Sequence, residues 1–331
     1  PLFVLSCGRS NGETAANSAA ESPSPAPAAT GAVTASAAAE ITVRSVPPDA
    51  TGPGLRPGFG SHLVEVGPAA KSNGKLWVFL PGTGGRPNNT SMIVLRAAEL
   101  GFHSIGLAYV NDQAVNDVCP GKEATCHEDM RREIITGADT SPYVDVNVDN
   151  AVVGRLTSLL SYLDGQYPDE GWGQFLKDGS PRWDLVTVGG HSQGAGHAAF
   201  IGKLFGVDRV VMFSGTEPAS WTAMPGATPP DRYYAIAHTL EDSYGAMTLS
   251  WQRLGLPGDV VSVDKGPSAY AGAHKLSTSR TDCRGDPSTN SFYHGCAIVN
   301  IHLPLAADGQ TSAFQPVWDY LLGVAGEAAS H

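Results

Sequence analysis

Basic residues are scarce in this chain. Twenty-one Lys and Arg stand against 32 Asp and Glu, for a net charge of −11. Binding to nucleic acid needs a basic face to neutralise phosphates, so this balance argues against that partner class. Long apolar runs are missing too. No stretch approaches the ~18 consecutive apolar residues of a membrane-spanning helix. Cysteine is sparse, five in 331 residues, and none is spaced Cys-x-x-Cys, which leaves a zinc ribbon without support. No glycine-rich turn ends in Gly-Lys-Ser/Thr; the best candidate runs Gly84-Gly85-Arg86-Pro87, so a phosphate-binding P-loop is not indicated. From about Gly8 to Glu40 aromatic residues are absent and the chain is Ala, Ser, Pro and Thr. Such a segment cannot bury enough apolar surface to offset the entropy of ordering, and residues 8–40 read as a disordered linker.

What remains is well supplied for folding. Hydrophobic residues make up 42% of the chain, and no internal repeat is evident. Residues 41–325 read as one domain in which strands and helices alternate. Strands are expected over Ile41–Val46, Ser61–Val66, Lys75–Leu80, Phe102–Tyr109, the run entering Gly190, Val207–Phe213, Tyr233–Ala237, Val260–Val263 and His274–Ser279. Helices are expected from Asn89 or Thr90 to Leu100, over Val152–Leu163, from the turn after Gly190 to Phe205, and over Met247–Leu254 and Phe314–Leu322. That alternation predicts an α/β fold, a mostly parallel central sheet with helices on both faces. Asn111–Asn147 reads as an irregular polar excursion over the site. Asp145-x-Asn147-x-Asp149 has carboxylates at calcium-loop spacing but lacks the loop's Gly and distal Glu, so an N-cap for the next helix is the better reading.

The chain is organised around Leu185-Val186-Thr187-Val188-Gly189-Gly190-His191-Ser192-Gln193-Gly194-Ala195-Gly196. A β-branched run enters Gly-x-Ser-x-Gly and an Ala-rich, helix-compatible run leaves it. Gly8-Arg9-Ser10-Asn11-Gly12 fits the same bare pattern with no strand before it and no helix after it, so context carries the inference. Strand, sharp turn and helix together resemble the nucleophile elbow of α/β-hydrolases, with Ser192 as nucleophile. A hydroxyl that attacks an acyl carbon needs a base, an acid to hold that base, and donors for the oxyanion. The family order is Ser, then Asp or Glu, then His. For the base, His294 lies between the last expected strand and the last helix; His274 is the runner-up, and His238, His302 and His197 are weaker. For the acid, Asp242 is preferred over its neighbour Glu241, with Asp264 an outsider. Oxyanion donors are expected from the backbone N–H of Gln193 and, in Pro81-Gly82-Thr83-Gly84-Gly85, of Thr83, with Gly84 second.

Leu80–Gly85, Gly190–Gly194 and Phe213-Ser214-Gly215 together resemble a group of exported bacterial and fungal serine hydrolases. The resemblance covers about Ser61 to Leu322. It implies the α/β-hydrolase fold, a Ser192–His294–Asp242 triad, and hydrolysis of small or lipid-like carboxylic esters without cofactor or metal. Pro81 departs from the commoner esterase pattern, which has His before the oxyanion glycine. Substrate walls are expected from Tyr109–Asn116, Thr216–Trp221 and Trp251, whose aromatic residues suggest an apolar group. A peptidase or amidase on the same triad, and a non-catalytic binding module on the same scaffold, are the alternatives. Leu2–Cys7 is similar to the end of a bacterial lipoprotein signal, which implies residues 1–7 as residual signal, lipidation at Cys7 and membrane attachment by that anchor alone. The other four Cys allow three disulfide connectivities. The simplest is local, Cys119–Cys126 and Cys283–Cys296, and agrees with an exported protein.

Overall fold

The computed structural model describes residues 40–289 and 291–324. The expected signal remnant, Cys7, nearly all of the expected linker, and residue 325 lie outside them. The described residues belong to one compact unit.

Its centre is a nine-stranded sheet in the order β1-β2-β4-β3-β7-β8-β9-β11-β10. The strands are β1 (Thr42–Val46), β2 (His62–Val66), β3 (Leu76–Leu80), β4 (His103–Gly106), β7 (Val186–His191), β8 (Arg209–Phe213), β9 (Tyr233–His238), β10 (Val260–Ser262) and β11 (Lys275–Thr278). The remaining two, β5 (Leu176–Lys177) and β6 (Ser180–Pro181), pair as a small separate hairpin. From β4 across to β10 every pairing is parallel. β2 runs antiparallel to both β1 and β4. The fold is therefore mixed α/β on a large, mostly parallel sheet.

Period-two alternation divides the side chains of the buried strands between two apolar clusters. Leu76, Val78, Leu80, Val186, Val188, Val210 and Met212 pack with the helices Cys126–Thr136, Val152–Gln166 and Gln193–Leu204. Trp77, Phe79, Val211, Phe213 and Ile236 pack with the helices Ser91–Glu99 and Gln315–Leu321. Helices thus cover both faces. None is long and apolar enough among the described residues to cross a membrane. Both expected disulfides are formed, Cys119–Cys126 and Cys283–Cys296, which fits an oxidising compartment outside the cytoplasm.

The strand order creates a site. After β3 the chain moves to β4 on one side, and after β7 it moves to β8 on the other. Loops leaving the C-terminal ends of β3 and β7, which are hydrogen-bonded neighbours, therefore part and leave a crevice at the sheet's edge, where ligands of open α/β sheets bind.

The segment 111–147 differs from the irregular excursion expected of it. It contains the helix Cys126–Thr136, closed by Gly137 in the left-handed conformation at φ 77. Cys126, Met130 and Ile134 recur every fourth residue and enter the main core. The Glu133 carboxylate accepts the backbone N–H groups of Thr140, Ser141 and Val146 at 3.1, 2.9 and 3.1 Å. The segment is a fixed wall rather than a surface loop. At its end Asn147 caps the short 3₁₀ turn Val148–Asn150, which leads into the next helix, by accepting from the Asn150 N–H.

Candidate active site

β7 delivers Ser192 to the edge of the sheet, and the helix Gln193–Leu204 starts on the next residue. Ser192 sits at φ 56, ψ −121. A non-glycine residue in that region is strained, and such strain concentrates at functional sites. The turn is tight because strand and helix almost touch. A Cβ on Gly190 would run into the Gly194 backbone, and one on Gly194 would run into the Leu80 carbonyl. Within the described residues the Ser192 hydroxyl makes no hydrogen bond; it does not cap its own helix.

The loop after β3 lies against this turn. Tyr109 donates its hydroxyl to the Pro81 carbonyl at 2.7 Å. The Asn111 side-chain amide donates to the Gly82 and Gly85 carbonyls at 2.7 and 3.1 Å, and the Asn111 backbone carbonyl accepts the Gly84 N–H at 2.9 Å. That bond occupies Gly84. The N–H groups of Thr83 and of Gln193, the first helical residue, have no partner among the described residues. Thr83, Ser192 and Gln193 line one cavity of about 240 Å³, together with Ala114, Asn116, Asp117 and Arg131.

The third component comes from β9, two strands across the sheet from β7. The turn after β9 folds Glu241 inward, where it is 8% exposed. Its Oε1 accepts the Ser214 hydroxyl at 2.7 Å and the His238 N–H at 2.8 Å. Its Oε2 lies 2.6 Å from Nδ1 of His294. A carboxylate accepts, so Nδ1 carries the proton and Nε2 presents its lone pair. His294 stands on the helix Ser291–Gly295, where a loop was expected, and the Cys283–Cys296 bridge closes directly behind it. His191, the residue before Ser192, donates from Nε2 to the His294 carbonyl at 2.9 Å, and the two rings lie 4.7 Å apart. Burial holds the His191 ring down at about 3, so it stays neutral.

Beneath the turn lies a buried ion pair. Arg131 grips both Glu217 oxygens, with Nε to Oε1 at 3.0 Å, and also reaches the Gln193 carbonyl at 3.3 Å and His197 Nδ1 at 3.3 Å. Trp221 donates its indole N–H to Glu217 at 2.8 Å. Burial pushes the Glu217 carboxyl up, but the Arg131 guanidinium and the indole donor outweigh it and leave it below its ordinary value. The pair ties the 111–147 wall to the base of the Ser192 helix.

Two expectations are corrected here, Asp242 and the aromatic walls, and two alternatives for the base are engaged elsewhere. Asp242 is exposed, and the carboxylate that meets His294 is Glu241; the turn after β9 aims the first acid inward and the second outward. His274 heads β11 at the opposite edge of the sheet, with Nδ1 against the Tyr233 carbonyl at 3.0 Å. His238 has both ring nitrogens engaged, Nε2 with the Arg280 carbonyl at 2.7 Å and Nδ1 with the Leu240 N–H at 3.1 Å. The aromatic substrate walls are absent: Tyr109, Trp221 and Trp251 are no more than 1% exposed and fill the core. Of those stretches only Ala114 and Asn116 face the cavity beside Ser192. His197 is buried against Arg131, whose charge together with burial holds its ring well below the ordinary value. Asp264 binds Thr278 and Ser279 at 2.6 to 2.8 Å and serves the β11 end. Sequence reasoning passed over Arg131, Glu217 and His191. Arg131 could have been suspected from its place on the apolar side of the Cys126–Met130–Ile134 helix.

Neither protein-family models nor curated proteins match this chain.

Proposed function

We propose that the chain is a serine hydrolase of the α/β-hydrolase type that cleaves carboxylic esters outside the cytoplasm. The observation that carries this reading is the Glu241–His294 pair, held at the same sheet edge as a strained Ser192. Glu241 fixes the tautomer in which His294 Nε2 is free to accept a proton. Ser192 Oγ attacks the ester carbon while Nε2 takes its proton. The carbonyl oxygen becomes an oxyanion facing the N–H groups of Thr83 and Gln193, and the dipole of the Ser192 helix favours that charge. Collapse of the adduct expels the alkoxide, which receives the proton from His294 and leaves as alcohol. Water, deprotonated by His294, then attacks the acyl-Ser192 ester; the adduct collapses to the acid, and His294 returns the proton to the departing Ser192 Oγ. The Ser192–His294 hydrogen bond belongs to the substrate complex, since such bonds are often unformed in a free enzyme.

The test is a fluorophosphonate probe followed by peptide mapping. Label confined to Ser192, and lost in Ser192→Ala together with hydrolysis of p-nitrophenyl acetate, is the expected outcome. Label on another residue, or full ester turnover by Ser192→Ala, overturns the proposal.

A further inference from the structure

Two unequal cavities meet at the candidate active site, and their chemistry differs. The first, about 240 Å³, holds Ser192 and both candidate oxyanion donors. It lies below the ~300–1,000 Å³ usual for ligand pockets. Arg131 is among its lining residues, and the Cys119–Cys126 bridge with the Glu133 clamp ties down the segment that bears it. The second, about 690 Å³, opens on the His294 side and is bordered by Glu241 and His294. Asp117 borders both. His294 must hand its proton to the departing alkoxide, so the alcohol half of an ester lies on the His294 side and the acyl half lies in the smaller space.

Beside Leu240 and Pro287, the larger cleft carries polar side chains that can bind hydroxyl groups. Ser243 can donate and accept; Ser288, Thr289 and Ser291 direct their hydroxyl protons to Asp286 and Thr289 and so offer their oxygens as acceptors, and the exposed carboxylates of Asp117 and Asp242 can accept pairs of O–H donors. Its aromatic residue, Tyr293, has a face covered by the His238 ring at 4.4 Å, so it provides no open cage for a cationic alcohol. The same carboxylates repel phosphorylated or carboxylated alcohols. Resting on the hydrolase reading, we propose that the site is specific for esters of a short acyl group with a polyhydroxylated, uncharged alcohol, the chemistry of an O-acetylated carbohydrate.

The experiment uses the whole chain in two stages. Fluorophosphonate labelling of Ser192 tests the hydrolase reading, and failure there removes that reading. With labelling established, acetate release from a mono-O-acetylated methyl glucoside, whose remaining hydroxyls are free, is compared with turnover of p-nitrophenyl acetate and p-nitrophenyl octanoate. The expected result is turnover of the sugar ester and a kcat/KM for the acetate at least about 100-fold above the octanoate, within the range that misfitting methylenes produce. In Ser288→Leu the ratio of sugar-ester to p-nitrophenyl acetate kcat/KM falls about tenfold through a higher KM for the sugar ester, the signature of lost uniform binding. Labelling accompanied by octanoate preference, by no acetate release from the glucoside, or by an unmoved ratio in Ser288→Leu overturns the substrate class and leaves the hydrolase standing.

Discussion

Replacing Glu241 by Gln tests the pairing with His294 with little change of shape. The amide oxygen can keep the bonds from Ser214 and the His238 N–H, so the turn after β9 has its two anchors. The other end of the side chain becomes an NH₂ facing His294 Nδ1 across 2.6 Å. Two donors cannot share that contact. The ring must offer its Nδ1 lone pair and move its proton to Nε2, where it can no longer accept the proton of Ser192. The same acid-to-amide exchange in serine protease triads costs ~10⁴ in kcat, which is about 5.4 kcal/mol of barrier at ~1.36 kcal/mol per decade. We expect a loss of about 10³–10⁴ in kcat on p-nitrophenyl acetate, with KM little changed and the unfolding midpoint near that of the parent. Asp242→Asn should stay within about tenfold, because its exposed side chain does not meet His294. Stopped-flow kinetics with thermal unfolding on both variants makes the comparison. Near-parental kcat in Glu241→Gln, or an equal loss in Asp242→Asn, refutes the reasoning.

Three further outcomes follow from the same contacts. The double variant Cys283→Ser, Cys296→Ser opens a loop of sequence separation 13 behind His294; it should lose about 3 kcal/mol in denaturant unfolding and lower kcat, and an unchanged midpoint would contradict this. His191→Phe leaves the His294 carbonyl without its 2.9 Å donor and should cost ~1–3 kcal/mol, read by the same titration. Stability should depend on pH in two limbs. His62 and His191, buried and held near 3 against an ordinary 6.5, remain neutral in the fold, so the unfolded chain binds more protons and stability falls as pH drops below 6.5, by ~1.4 kcal/mol per unit for each. Glu65, pushed up to about 8 from 4.5 by burial and by the Glu99 charge, binds its proton more tightly when folded, so its contribution falls as pH rises from 4.5 to about 8. The histidines dominate below 6.5 and Glu65 above it, placing the maximum near 6.5; Glu65→Gln should flatten the upper limb, and unfolding midpoints across pH check it.

Much of this architecture is legible in the sequence because its signals are local. The run Val186–His191 before Ser192 declares a buried strand by composition, and Gly190 and Gly194 declare the tight crossing that follows. The two disulfides are legible because each pair is near in sequence. Choosing between Glu241 and Asp242 was not possible from composition, because adjacent carboxylates differ only in where a turn points them. Glu241 is drawn inward by Ser214 and by the backbone of His238, contacts that exist only once β8 and β9 are side by side. The aromatic walls were misjudged for a related reason. Trp221, in the short turn Ser220–Ala223, and Trp251, on the helix Tyr244–Arg253, lie near the site in sequence, but both large apolar side chains turn into the core. The helix bearing Arg131 went unseen because charged residues in Cys126–Thr136 masked its every-fourth apolar positions, and its arginine is buried only because Glu217, from after β8, meets it.

The central claim is that Ser192 becomes covalently acylated during turnover. Rapid acid quench of the protein with p-nitrophenyl acetate, followed by mass analysis of the peptide containing Ser192, tests it most directly. The account predicts an acetyl group on Ser192 that appears with a burst of p-nitrophenol and is absent in Ser192→Ala. Steady turnover with Ser192 unmodified at every quench time, or equal turnover by Ser192→Ala, would contradict it.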